Sequence, residues 1–93
     1  MREKTIEQKF TKAVKAVGGI PLKVTAANYD GMPDRIVLLP HGLLAFVELK
    51  APGKKLRPLQ EKRKRQLEGL GFLVFCIDNT EQIGGILDEI QRT

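Results

Sequence analysis

The stretch RIVLLPHGLLAFVELK, residues 35 to 50, constrains the fold more than any other. Two apolar runs of strand length flank Pro40, His41 and Gly42, a trio with turn chemistry. Strands joined this closely pair as antiparallel neighbours, so the spacing predicts a β-hairpin. A tight turn sets residues near 34 to 38 opposite residues near 44 to 48. That register brings Asp34, at the mouth of the first run, alongside Glu48, which interrupts the second. Side chains two apart on a strand share a face, so Glu48 and Lys50 point the same way and Leu49 points away. A buried, unpaired charge costs several kcal/mol, so something must compensate for these residues.

The rest of the chain supplies the elements around this hairpin. Ile6, Phe10, Ala13, Val14 and Val17 stand at helical spacing, and Gly18-Gly19 ends the helix. IPLKVTA, residues 20 to 26, reads as a strand whose early proline suits a sheet edge. ANYDGMP carries turn chemistry and APGKKLRP is a loop. Pro58 suits the first position of a helix through LQEKRKRQLEGL, with Leu59, Leu67 and Leu70 inward. GFLVFCI reads as a buried strand. The closing segment aligns Ile83, Ile86, Leu87 and Ile90 on a helix that Gly84-Gly85 weakens. The order is α-β-β-β-α-β-α, and the strand–helix–strand unit over residues 43 to 77 pairs its strands in parallel through a right-handed crossover. The expected class is α/β: residues 1 to 93 as a single compact domain with a mixed β-sheet flanked by helices.

A chain of 93 residues has a thin core that a partner subunit would support. No apolar run is long enough to span a bilayer, and MREKTIEQKF lacks the apolar centre of a signal peptide, so a cytoplasmic protein without a membrane partner is expected. The single cysteine, Cys76, excludes an internal disulfide and a Cys-rich zinc site, and reads as a small core residue. His41, the only histidine, reads as a solvated turn residue.

The net charge of +5 suggests a polyanionic partner, and its distribution says more than the total. Seven of the 16 Lys and Arg fall within residues 54 to 65: Lys54, Lys55, Arg57, Lys62, Arg63, Lys64 and Arg65. Such a patch suits phosphate binding, and a solvated helix face is the alternative. Asp34 and Glu48 at close range would repel, a conflict that a shared divalent cation removes. With no cysteine or histidine cluster beside them, hard oxygen ligands favour Mg²⁺ or Mn²⁺ over zinc. Such a cation acidifies a bound water and offsets charge on phosphorus, with Lys50 placed to orient the water or neutralise the transition state. A structural Glu48–Lys50 ion pair, with Asp34 as a turn residue, remains the alternative.

Pro-Asp at 33 and 34 followed by Glu-Leu-Lys at 48 to 50 resembles the PD-(D/E)xK nuclease signature. Over nearly its whole length the chain resembles the stand-alone VRR-NUC domains of that superfamily. The likeness rests on Glu7 in the first helix, GMPDR at 31 to 35, VELKAPGKKL at 47 to 56 and LQEKRKRQL at 59 to 67. It implies a restriction-endonuclease-like core with Mg²⁺ or Mn²⁺ held by Asp34, Glu48 and the backbone carbonyl of Leu49. Glu7 would reach the metal directly or through water, Lys50 would be the catalytic lysine, and Gln60 the accessory catalytic residue. Glu7 shares a helical face with Phe10 and Val14, and Gln60 shares one with Leu67. The resemblance further implies a homodimer that cuts branched DNA, Holliday junctions in particular. Specificity would come from dimer geometry and backbone contacts by Lys54, Lys55, Arg57, Lys62, Arg63 and Arg65. An aromatic content of 5% without Trp argues against base stacking as the main grip. The expected function is a metal-dependent, structure-specific endodeoxyribonuclease. Its rivals are a flap or duplex nuclease with the same chemistry, a DNA-binding module without activity, and a structural α/β partner protein.

Overall fold

A computed structural model describes all 93 residues, Met1–Thr93. Its elements follow the expected order: α1 (Glu3–Ala16), β1 (Ile20–Lys23), β2 (Arg35–Leu39), β3 (Leu43–Leu49), α2 (Pro58–Gly69), β4 (Leu73–Ile77) and α3 (Gln82–Gln91). The four strands form one sheet in the order β1-β2-β3-β4. The first two pairings are antiparallel and β3 pairs with β4 in parallel, so the sheet is mixed and β1, with Pro21, lies at its edge. No helix is long and apolar enough to cross a membrane.

The hairpin turns through a 3-10 segment, Pro40–Gly42. His41 (φ 71°) and Gly42 (φ 75°) both take left-handed backbone there, which reverses the chain in three residues. Leu39 pairs with Leu43 and Arg35 with Val47, so the next positions outward are Asp34 and Glu48.

Strand alternation sorts the side chains into two unequal layers. Val37, Leu39, Ala45, Val47, Leu49 and Ile77 face α1 and α3 and form the main core with Ile6, Phe10, Val14, Ile83, Leu87 and Ile90. The opposite face carries α2 and a small cluster of Phe46, Leu67 and Val74, flanked by Met32, Ile36 and Leu44. Helix α2 covers only part of that face. Ile20 and Leu22, paired with Leu38 and Ile36, stay 54% and 42% exposed.

Leu59 and Leu70 do not turn inward beside Leu67 as their spacing predicts; they are 40% and 75% exposed. The buried stripe of α2 runs through Gln60 and Leu67, and a residue one step along a helix is rotated by about 100° from its neighbour. Cys76 is half-buried rather than a core residue, because β4 is an edge strand and α2 does not fully roof it.

Candidate active site

Beyond the last ladder pair of the hairpin, side chains take over the hydrogen bonding. The Asp34 amide donates to Glu48 Oε1 (3.2 Å), and the Leu49 amide donates to Asp34 Oδ1 (3.1 Å). Each acid therefore latches onto the backbone of the opposite strand, which fixes both carboxylates at the open end of the hairpin. The Asp34 carbonyl also accepts from the Val24 amide (2.9 Å), tying the site to the chain leaving β1.

These placements carry an electrostatic cost. Partial burial pushes the Asp34 carboxyl up from its ordinary value, against the lowering pull of the Leu49 amide and the Arg35 guanidinium. Glu48 is also pushed up, first by burial and then by the neighbouring Asp34 charge, with Lys50 pulling the other way. Lys50 lies on the same face as its spacing predicts, with Nζ 3.7 Å from Glu48 Oε2. Glu48 and its parallel-strand partner Cys76 face the same side, and burial, Asp78 and Glu48 together push the thiol up.

Gln60 joins this group from α2. Arg57 caps the helix and Pro58 opens it, and Gln60 Oε1 accepts from the Arg57 amide (2.9 Å). The Gln60 amide favours the ionised form of Glu48, and both residues line one small cavity. A glutamine on a charged helix is ordinarily solvated; this one is 7% exposed.

Glu7 does not join the other two carboxylates, and no three His, Cys, Asp or Glu side chains are grouped closely enough to hold a metal ion by themselves. Its Oε2 instead accepts from Arg35 Nη2 at 2.9 Å. The Arg35 side chain, 10% exposed, also lies 3.3 Å from Asp34 Oδ2 and donates to the Asp34 carbonyl. Glu7 thus meets Asp34 through a buried guanidinium. Arg35, which the Pro-Asp and Glu-Leu-Lys spacing does not single out as part of this group, shares strand parity with Val37 and Leu39. A cation at a core-facing position had to find carboxylates.

The loop before Asp34 is fastened to α2. Arg63 Nε donates to the Asp30 carbonyl (2.7 Å), Nη1 donates to Gln66, and the guanidinium stacks 3.9 Å from the centre of the Tyr29 ring. Arg63 therefore serves the loop, while Lys64 pairs with Glu68 (2.9 Å). Lys54, Lys55, Arg57, Lys62 and Arg65 stay exposed and outside every ion pair. Gly31 closes the loop at φ +86°, and a Cβ there would come within 2.7 Å of Leu59 Cγ and 3.0 Å of its carbonyl. Gly31→Ala is expected to destabilise the protein by about 1–3 kcal/mol, measured by urea unfolding. An unchanged midpoint would mean that the loop is not held against α2.

No protein-family model matches the chain. It is 40% identical over 81 residues to "Putative nuclease p44" of Acyrthosiphon pisum secondary endosymbiont phage 1, covering 87% of each chain. A solved structure described as "VRR_NUC domain" superposes with a TM-score of 0.86 at 26% identity, over 92% of this chain and 94% of the other.

Proposed function

The chain belongs to the VRR-NUC nuclease family, and from that premise we propose that residues 1 to 93 act as one metal-dependent endonuclease domain that cuts branched DNA, Holliday junctions in particular. The observation that carries the reading is the pairing of Asp34 with Glu48 across the end of the hairpin, beside Lys50. A half-buried Asp34 and a buried Glu48, both pushed toward protonation by burial and Glu48 also by the Asp34 charge, fit a hard dication, which would offset these penalties. Asp34 and Glu48 would hold it with the Leu49 carbonyl, and most of its remaining ligands would be waters. When bound, Mg²⁺ or Mn²⁺ supplies an acidified water and a counter-charge for the phosphoryl oxygens.

The chain's own groups do the positioning. Backbone amides orient Asp34 and Glu48, Gln60 braces Glu48, and Glu7 acts on Asp34 through Arg35. Lys50 is placed to balance negative charge growing on the phosphate. Lys54, Lys55, Arg57, Lys62 and Arg65 hold flanking phosphates, with Arg63 positioning the loop beneath them. A homodimer is favoured by the apolar side chains left uncovered on the α2 face, among them Ile20, Leu22 and Phe72.

Labelled junction, flap and linear duplex of matched sequence, incubated with Mg²⁺, Mn²⁺ or EDTA, test the reading. The junction is expected to be cut, and only with metal present. Equal cutting of linear duplex would overturn the substrate, and cutting in EDTA would overturn the metal. Sedimentation at twice the chain mass is expected, and a monomer at micromolar concentration would remove the dimer.

A further inference from the structure

The cations outside the 54–65 patch are unevenly placed as well. From residue 8 to residue 29 the sequence has four lysines and no Asp or Glu. On α1 this bias becomes a surface. Gln8, Thr11, Lys12 and Lys15 line a shallow groove of about 410 Å³ with Glu7 at its end, and no apolar side chain lines it. Glu7 is the groove's one acid, and its charge is met by Arg35 at 2.9 Å and approached by Lys23 at 4.0 Å. With two lysines against one paired acid the groove is net positive, and the excess lies at its Lys12 and Lys15 end.

Its position gives the charge a meaning. The Arg35 that holds Glu7 also touches Asp34, so the Glu7 end of the groove adjoins the candidate active site and the lysines lead away from it along α1. Helix α1 packs on one face of the sheet and α2, with its cations, on the other. The paired acids at the end of the hairpin thus lie between two basic surfaces. We propose that the α1 groove is a second DNA-backbone site, holding phosphates on the opposite side of the cut from the 54–65 patch. This rests on the nuclease reading above and adds a surface to it. Lys12 and Lys15 supply point charges, and Gln8 and Thr11 supply neutral donors for phosphate oxygens. An open groove lined by polar and charged residues suits an extended backbone rather than an enclosed small anion.

The test is the salt dependence of DNA binding by the full chain, read by fluorescence anisotropy of labelled junction in EDTA so that the DNA stays whole. Lys12→Gln/Lys15→Gln is expected to make the slope of log K against log salt shallower by about 1.8, near 0.9 per lost phosphate contact, and to weaken binding on the order of tenfold. Lys9→Gln/Arg92→Gln removes the same charge from exposed positions off the groove and is expected to leave the slope unchanged. Circular dichroism melts matching the wild type establish that both variants fold. Equal slopes for the two variants, or no change for the groove variant, would overturn the groove while leaving the nuclease reading intact. A wild type that neither binds nor cuts DNA would overturn both.

Discussion

Glu48→Gln is expected to lower Mn²⁺-supported cleavage by at least about a hundredfold, the scale of losing one group that stabilises charge in the transition state. Stability should hold or rise. The substitution keeps the shape of the side chain and leaves an oxygen to accept the Asp34 amide, now 3.2 Å from Glu48 Oε1. It also removes a charge that burial and Asp34 oppose more strongly than the Lys50 ion pair favours it. Opposite signs in the two measurements are the mark of a side chain kept for chemistry at the expense of the fold. Glu48→Ala should abolish cleavage as well, but with a lower melting temperature, because it leaves the Asp34 amide and Lys50 without their partner. Cleavage at the wild-type rate by folded Glu48→Gln would end the assignment of this residue.

The register behind that argument was legible because the hairpin left little freedom. Three turn residues between two apolar runs permit few pairings, and the period of two then decides which residues share a face. Helix α2 was harder to read. Its twelve residues hold few apolar ones, so stripes through Leu59 and through Gln60 fit the pattern almost equally. What decides is a hydrogen-bonding role: Gln60 closes the first turn and favours ionised Glu48, and that turns Leu59 outward. Glu7 could be placed on the face of Phe10 and Val14, but helical spacing carries no information about what stands across from it. The partner, Arg35, was foreseeable from strand parity, since a charge in step with Val37 and Leu39 must meet a counter-charge. The half-exposure of Cys76 was not foreseeable, because an apolar strand reads alike whether central or at an edge.

The same two acids give the metal-free protein an unusual response to pH. Asp34 and Glu48 are raised above 3.8 and 4.5, so between those values and the raised ones the folded state binds more protons than the unfolded chain. Their contribution to stability is then fully present below the ordinary values and is lost as pH rises through the raised ones. A divalent ion held between them would reverse the sign, because it would bind the ionised carboxylates and hold their folded-state values down. Melting curves with EDTA and with Mn²⁺ should therefore converge at low pH and separate as pH climbs. At neutral pH and a hundredfold excess over Kd the ion is expected to stabilise by about 2.7 kcal/mol. For a chain of 93 residues that corresponds to roughly ten degrees or more in melting temperature. Glu48→Gln should shrink the separation, because one of the two carboxylates that attract the ion is gone. A Mn²⁺ shift equally large at every pH, or undiminished in that variant, would place the ion somewhere other than between residues 34 and 48.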